Sequence, residues 1–334
     1  MSKYSELYDF LVNKDRPSER VLFHPILMQF AARQLDCTYE EFMTDYKVLV
    51  ESNVKCLEIV DHDAVGLISD PYRETSAFGG SVEFDGDRQP ICPPLIYSLD
   101  DIESIVNPGV YHSERTRDRL NAAEYYRSIL GNEVPVIGWI EGPLAEAADL
   151  IGVNTLLTKL LMEPDLVLKL MEVCMTTAKD FARAQVDSGC MVIGIGDAVC
   201  SQIDPMTYES LVLPLHQDLM NYIHSLGAFT KLHICGDITH LLEKLAITNT
   251  DILDLDWMVS FSTAREACGP ETILCGNLDP VQCVQNQSSD AVLSESIRLI
   301  DQLKGQRFIL SGGCEITAAT PVENLLAMKK ASTD

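Results

Sequence analysis

Short apolar segments recur along the chain, and most end in a polar residue and are followed by a stretch with helical periodicity. The segments cover residues 21–23, 57–60, 134–140, 191–196, 230–234, 252–255, 272–275 and 307–310. Eight predicted strands separated by helix-length spacers favour a single eight-stranded parallel (β/α)8 TIM barrel, an α/β fold. An open doubly wound sheet is the competing prediction, because it shows the same alternation.

Two regions stand outside this alternation. We expect an N-terminal helical extension and a turn-rich insertion near residues 68–108, which would lie over one mouth of the barrel. The segment from Thr320 to Glu323 resembles a capping box with proline at the first helical position, so it predicts the start of the last helix. Residues 1–334 are therefore predicted to form one barrel domain with these two additions.

Composition and charge exclude several classes of protein. Acidic residues outnumber basic ones by 50 to 25, and a net charge of −25 argues against nucleic-acid binding. No apolar run approaches 18 residues, so no membrane span is predicted. The 11 cysteines are scattered and odd in number, which does not resemble a disulfide framework. The absence of a signal-peptide pattern at the start agrees with a reducing cytoplasm.

Chemically versatile side chains follow the predicted strands. In a parallel barrel the carboxyl ends of the strands form the active-site face, so side chains from different strands converge there. Each of these residues could instead cap a helix or satisfy a loop, but their number favours convergence. They are Glu141, Asp197, His233 with Cys235, Asp254 with Asp256, Asn277 and Cys314.

A metal site is the most specific prediction from these residues. His233 and Cys235 lie two positions apart on a strand, so their side chains point to the same side. Cys314 follows two glycines at the end of the last strand and offers a third ligand. A histidine with two thiolates suits zinc and leaves a fourth position for substrate or an exchangeable carboxylate. The alternative is that the cysteines are buried packing residues.

At these residues the chain resembles the uroporphyrinogen decarboxylase superfamily over nearly its whole length, and within it the zinc-dependent cobamide methyltransferases. That group carries a His-x-Cys motif and a later Gly-Cys, which here are His233, Cys235 and Cys314. The decarboxylases match less well. Of the two arginines in their N-terminal motif only Arg33 remains, although Asp70 matches their aspartate, and Cys314 replaces their late histidine.

The resemblance implies methyl transfer between a cobamide and a small thiol acceptor or an O-methyl-type donor. Zinc would be held by His233, Cys235 and Cys314, with Asp256 as the best candidate for the fourth ligand. Asp254 or water are the alternatives for that position. We expect the corrinoid to arrive on a separate corrinoid protein, because the chain shows no cobalamin-binding module.

Three further residues, Asp197, Glu141 and Asn277, are assigned catalytic roles as hydrogen-bonding groups that orient the substrate or the metal ligands. Two other functions stay open. One is decarboxylation of a tetrapyrrole, which needs no metal, and the other is a binding scaffold in which zinc has a purely structural role.

Overall fold

Eight parallel strands form one curved sheet in the computed structural model, which describes residues 1–13, 20–106 and 109–333. The sheet order is β1-β8-β7-β6-β5-β4-β3-β2, and every adjacent pair is parallel. This arrangement confirms the predicted (β/α)8 barrel. The strands are β1 (Leu22–Phe23), β2 (Val65–Gly66), β3 (Val136–Glu141), β4 (Val192–Gly196), β5 (Phe229–Ile234), β6 (Ile252–Leu255), β7 (Ile273–Leu278) and β8 (Phe308–Gly312).

The two ends of the sheet are linked between β1 and the residues just before β2. The backbone N–H of Asp63 donates to the carbonyl of Phe23 over 2.8 Å. In return the N–H of Phe23 donates to the carboxylate of Asp63 over 2.7 Å. These two hydrogen bonds join the short first and second strands and close the barrel at that point.

Helices surround the barrel and pack their apolar faces on the strands. Shorter helical turns cover Leu99–Ser104, Ala198–Gln202, Tyr208–Val212, Thr239–Leu241 and Pro280–Gln285. The α-helices are α1 (Lys3–Val12), α2 (Gln29–Gln34), α3 (Tyr39–Thr44), α4 (Tyr46–Val60), α5 (Arg73–Ala77), α6 (Glu114–Leu130), α7 (Pro143–Ile151), α8 (Val153–Met162), α9 (Pro164–Asp187), α10 (Pro205–Thr207), α11 (Leu213–Ser225), α12 (Leu242–Leu245), α13 (Phe261–Cys268), α14 (Ser289–Gln302) and α15 (Val322–Thr333). None of the helices in the described ranges is long and apolar enough to span a membrane.

One predicted strand is wrong. Residues 57–60 form the last turn of α4, and the second strand comes later, at Val65–Gly66. The buried positions of α4 include Leu49, Asn53, Cys56 and Val60, which repeat every three or four residues as a helix requires. A short apolar run at the end of such a helix cannot be told from a buried strand by its pattern alone.

Helix α1 closes the amino-terminal end of the barrel. Leu7, Phe10 and Leu11 are buried against apolar side chains at the starts of the strands, such as Met191 and Ile273. The predicted N-terminal helix therefore has a packing role: it covers the end of the barrel opposite to the one where functional side chains are expected.

The predicted insertion contains little regular structure. Its described part holds α5, an isolated antiparallel bridge between Glu83 and Ile91, and the turn at Leu99–Ser104. Residues 107–108 lie outside the described ranges. The backbone N–H groups of Leu95 and Ile96 both donate to the carbonyl of Leu150 and attach the segment to α7. That the whole chain forms one domain stays a prediction.

Candidate metal centre

Strand β5 and the loop after β8 bring together the three strongest predicted ligands. Alternation along β5 points Lys231 and His233 to one side, and Cys235 follows directly after the strand. Cys314 reaches the same place from β8, although β6 and β7 lie between the two strands in the sheet. At Gly313 a Cβ atom would lie only 2.2 Å from the backbone nitrogen of Trp257, so this turn requires glycine.

The three ligand atoms are spaced as a tetrahedral zinc site requires. The Sγ atoms of Cys235 and Cys314 are 3.8 Å apart, and Nε2 of His233 lies 3.1 Å from Sγ of Cys235. All three atoms lie within 4.8 Å of one another. Zinc–sulfur bonds of about 2.3 Å at tetrahedral angles put two thiolates roughly 3.8 Å apart. The donor set and its spacing therefore fit zinc.

The electrostatics of these groups favour a thiolate. The Sγ atoms of Cys235 and Cys314 share a hydrogen bond, and this bond, together with nearby His233, outweighs burial and lowers the pKa of Cys314 to about 4. The same hydrogen bond, together with burial, raises the pKa of Cys235. Burial alone would lower the pKa of His233, but Cys235 and Asp254 outweigh it and raise that pKa. Zinc requires deprotonated ligands, so binding would release protons from this group.

Asp254 orients His233 and lies away from the thiols. Nδ1 of His233 is 3.3 Å from the carbonyl oxygen of Asp254 and 3.4 Å from its carboxylate. The same carboxylate pairs with the buried Lys231 over 2.9 Å. Lys231 and His233 hold the pKa of Asp254 below its ordinary value, although burial acts in the opposite direction. A carboxylate on the far nitrogen of a ligating histidine is the usual outer partner of a zinc site.

The structure does not bring Asp256 together with the three ligands. Its carboxylate accepts the backbone N–H of Gly236 over 2.8 Å and lies 3.5 Å from the N–H of Met258. These contacts agree with a loop-capping role for Asp256. Its position after β6 predicts a fourth metal ligand, and a carboxylate engaged in capping is less suited to that task. Asn277 holds the same loop, because its side-chain amide donates to the carbonyls of Asp256 and Val259.

Asp197 is buried behind the site. Its carboxylate accepts the N–H of Ala145 over 2.7 Å at the start of α7 and pairs with Nε2 of His216 over 2.9 Å. Nδ1 of His216 lies 2.8 Å from the hydroxyl of Tyr208. Asp197 and His216, with Cys200, form a second group of closely spaced metal-type ligands, all fully buried. These hydrogen bonds of Asp197 join parts of the scaffold, and the catalytic roles of Asp197 and Asn277 stay predictions.

A cavity of about 210 Å³ lies over the three ligands. Glu141 is the one of the three predicted catalytic residues that lines it. The lining residues come from the loops after several strands and from the predicted insertion: Ile26, Met28, Tyr39, Ile68, Ser69, Asp70, Pro71, Gln89, Trp139, Glu141, Gly196, Ala198, His233, Cys235, Cys314 and Glu315. This volume is below the roughly 300–1,000 Å³ typical of sites for drug-sized ligands, so the cavity suits a small substrate.

Two of the carboxylates on the cavity wall are held by arginines behind it. Arg73 donates to Glu141 over 2.8 Å and is fully buried. Arg115 donates to the carboxylate of Asp70. Burial raises the pKa of Glu141, and the neighbouring acidic residue Glu74 raises it further, against the effect of Arg73. Neither arginine lines the cavity, so each compensates the charge of its carboxylate from behind the cavity wall.

Glu315 is a carboxylate of the cavity wall that sequence reasoning missed. Its Oε1 atom accepts the backbone N–H of Gln29 over 2.9 Å. Burial, with Cys314 next to it, raises the pKa of Glu315 to about 7. The only signal in the sequence is its position directly after Cys314, which any residue could occupy.

The model of the family described as uroporphyrinogen decarboxylase matches residues 12–334. A methylcobamide:CoM methyltransferase, MtbA, of Methanosarcina mazei is 29% identical over 274 residues, 81% of this chain and 79% of that protein. The methylcobamide:CoM methyltransferase MtaA of Methanosarcina barkeri is 27% identical and covers 72% of this chain and 70% of its own length. A uroporphyrinogen decarboxylase of Pelobacter propionicus is 26% identical and covers 89% of this chain and 88% of its own length.

Solved structures show the same fold. A methyltransferase from Methanosarcina mazei superposes with a TM-score of 0.91 at 23% identity, covering 99% of this chain and 98% of that one. A B12-independent methionine synthase from Shewanella sp. W3-18-1 gives a TM-score of 0.61 at 12% identity, covering 93% and 96%. The barrel and the long segments that connect its strands are therefore shared with the Methanosarcina mazei methyltransferase over almost the whole chain.

Proposed function

Because the chain belongs to the uroporphyrinogen decarboxylase family, we propose that it is a zinc-dependent corrinoid methyltransferase. In this proposal it moves a methyl group between a cobamide on a separate corrinoid protein and a small thiol. Its relatives are methyltransferases and decarboxylases, which supports an enzyme. The observation that carries the choice between them is the group of His233, Cys235 and Cys314 beneath a cavity.

Each residue of the group has a distinct task in this proposal. His233, Cys235 and Cys314 would hold the ion, and Asp254 would fix the orientation of His233 through Nδ1. When bound, zinc lowers the pKa of a coordinated thiol and so supplies a nucleophilic thiolate near neutral pH. Three protein ligands leave the fourth position to the substrate, as in catalytic zinc sites.

The transfer balances as a displacement at carbon. The substrate thiol releases its proton to solvent, and a bond forms between its sulfur and the methyl carbon while the cobalt–carbon bond breaks. The electron pair of that bond stays on cobalt, which passes from Co(III) to Co(I). The chain's own contribution is to exclude water with the apolar wall that includes Ile26, Ile68 and Trp139, and to hold the thiol in line.

Decarboxylation of a tetrapyrrole has less support from this site. Such a substrate carries several carboxylates, yet no arginine or lysine lines the cavity in the described part of the chain. Arg33, which resembles one of the decarboxylase arginines, is exposed on α2 and does not line it either. A purely structural zinc is also less favoured, because such a site is closed by four protein ligands.

The test combines metal analysis with a methyl-transfer assay. We expect the purified protein to hold one zinc ion per chain and to convert methylcobalamin in the presence of a small thiol, followed by the corrinoid absorbance. Free methylcobalamin replaces the protein-bound cobamide in this assay. A matched Cys314→Ser variant should do neither. Full-length protein with no zinc, or decarboxylation of a porphyrinogen without metal, would contradict the proposal.

A further inference from the structure

A second, smaller cavity lies inside the barrel, next to the one over the metal ligands. We infer that this inner cavity binds a single hydroxyl group, which donates its hydrogen to Nε2 of His62. The hydroxyl belongs either to water or to the tail of a small substrate, and binding experiments separate these two sources. The proposed function does not use this site, so the inference and the proposed function can stand or fall independently.

The inner cavity has a volume of about 20 Å³. Roughly 10–15 Å³ is enough for one water molecule, so the cavity holds about one group of that size. It shares Ile26, Ile68 and Trp139 with the cavity over the metal ligands, so the two cavities adjoin. Its lining residues are His24, Pro25, Ile26, Leu27, Asn53, His62, Ala64, Gly66, Ile68, Ile137 and Trp139.

The tautomer of His62 is fixed by its backbone partner. Nδ1 of the ring lies 2.6 Å from the carbonyl oxygen of Ala64. A carbonyl oxygen only accepts, so Nδ1 carries the ring hydrogen and donates it. Burial lowers the pKa of His62 to about 4, against the effect of this hydrogen bond, so the ring is neutral near pH 7. Nε2 is therefore left as a hydrogen-bond acceptor.

The acceptor at Nε2 has no donor in the described part of the chain. His62 is 1% exposed, and its Nε2 is a buried atom without a hydrogen-bond partner there. Asn53, which also lines the inner cavity, donates its amide to the carbonyl of Leu49 over 3.0 Å. Nδ1 of His24 lies 3.4 Å from Nζ of Lys231. Buried acceptors are normally paired, so Nε2 requires a donor from a bound molecule.

The wall of the inner cavity limits this donor to an uncharged one. No aspartate, glutamate, lysine or arginine is among the described residues that line it. An ammonium group would lie there without a counter-charge, which is unfavourable at a buried site. An amide has at least three heavy atoms and exceeds the room for one water-sized group. A hydroxyl combines a donor, no charge and the size of one oxygen atom, so it is the group that fits.

Histidine-selective ¹⁵N labelling of the full-length protein tests this hydrogen bond directly. We expect the ring of His62 to carry its hydrogen on Nδ1 and to show Nε2 at the chemical shift of a hydrogen-bonded acceptor. His62→Asn identifies the signal by its loss. A crystal structure should show an oxygen atom about 2.7–3.2 Å from Nε2.

Two thiols of equal length separate the two sources of the hydroxyl. Mercaptopropanol and butanethiol differ in a terminal hydroxyl against a methyl group, and their binding is followed on protein loaded with Co²⁺ through the thiolate-to-cobalt absorption band. If the substrate supplies the hydroxyl, mercaptopropanol should bind at least about tenfold more tightly and should shift the Nε2 signal. If water supplies it, both thiols should bind alike, and Nε2 should be hydrogen-bonded before either is added.

Two replacements of His62 separate the roles of its ring nitrogens. His62→Asn keeps a donor for the carbonyl of Ala64 but has no atom in place of Nε2, so the bound oxygen and any preference for mercaptopropanol should be lost. His62→Gln places an amide oxygen near the position of Nε2 and should retain most of both. His112→Asn makes the same change of residue at an exposed position and should alter neither.

Two results would overturn the inference. One is an Nε2 atom that carries the ring hydrogen itself, or that stays at the shift of an unpaired acceptor with and without mercaptopropanol. The other is an oxygen that persists in His62→Asn, since His62 would then not hold it. The labelled-protein and crystal measurements need neither zinc nor methyl transfer, so they can fail while the proposed function stands. If His62→Asn does not fold, the crystal structure of the unaltered protein still decides.

Discussion

At the amino-terminal end of the barrel the carboxylate of Asp63 is surrounded by cations, whereas at the other end the carboxylate of Glu315 forms no ion pair with a lysine or arginine of the described ranges. Arg20 donates to both oxygens of Asp63 over 2.6 and 2.7 Å, and Lys3 and Lys329 lie 3.5 and 3.7 Å away. Glu315 has the N–H of Gln29. Asp63 is buried and Glu315 is half-buried, so the two carboxylates differ in their exposure as well as in their partners.

The comparison teaches how one barrel separates stability from chemistry. A buried carboxylate that is fully paired, as Asp63 is, joins elements and contributes to folding. A group whose partners are incomplete costs stability but is available to bind something else, which is the role that we propose for His233, Cys235 and Cys314. The active-site face of this fold is the carboxyl-terminal one, which agrees with that division.

The largest expected effect is the loss of the metal on replacing either thiol. Cys235→Ser and Cys314→Ser should each lower zinc affinity by more than the roughly 10–100-fold that changes to outer-sphere partners cost. Methyl transfer should fall with it. The fold should persist, because the ligands lie at the barrel mouth. Zinc content and the circular dichroism spectrum check this. Cys190→Ser, at a buried cysteine outside the group, is the control for the loss of a thiol.

The next largest effect concerns stability at the opposite end. Asp63→Asn removes the charge that Arg20 and the nearby lysines surround, and we expect a loss of about 2–3 kcal/mol in the free energy of unfolding, discounted because Arg20 is partly exposed. Zinc content should not change. Asp61→Asn is the matched control, since Asp61 also pairs with Lys3 and Lys329 but its side chain is 66% exposed. Equal losses in urea unfolding would contradict the comparison.

The stabilising contribution of Asp63 should also depend on pH. Burial raises its pKa, but Arg20 and the N–H of Phe23 outweigh burial and leave that pKa below its ordinary value. The contribution is therefore present above the unfolded pKa of about 3.9 and is lost as the pH falls through the folded pKa. The stability gap between the unaltered protein and Asp63→Asn should shrink from pH 7 to pH 3. A gap that grows in acid would refute this sign.

A smaller effect is expected at Asp254, whose carboxylate is both paired with a buried lysine and in contact with a predicted metal ligand. Asp254→Asn should weaken zinc binding about 10–100-fold, because the orienting partner of His233 is lost. The variant also leaves Lys231 buried without its partner, so its stability should fall. Adding Lys231→Met should recover stability without recovering zinc affinity. Recovery of both would mean that Asp254 acts through the fold alone.

Sequence patterns predicted the parts of this molecule that depend on local periodicity. The alternation of His233 and Cys235 along β5 and the glycines before Cys314 indicated the ligands, since spacing fixes direction within a strand. Periodicity gave no information on partners. It could not show that Asp197 would be taken up by α7 and His216, or that an acidic residue after Cys314 would line the cavity. These depend on contacts between segments far apart in the chain.

The smallest effect is expected at Asp256, and it decides the fourth position. If the loop-capping contacts describe its role, Asp256→Asn keeps an oxygen for the N–H of Gly236, and zinc affinity should change by less than about threefold. Zinc X-ray absorption should then show one oxygen or nitrogen neighbour besides His233 in both proteins, from water. Adding a small thiol should replace it with a third sulfur in both. If instead Asp256 is the resting ligand, as its place after β6 predicts, the variant should bind zinc at least about tenfold more weakly, as expected for a lost carboxylate ligand. The oxygen shell should then differ between the two proteins before thiol is added. Asp256→Ala separates the capping role from the ligand role further. If Asp256 only caps the loop, this variant should loosen the turn at Gly236 and leave the oxygen neighbour of the zinc unchanged.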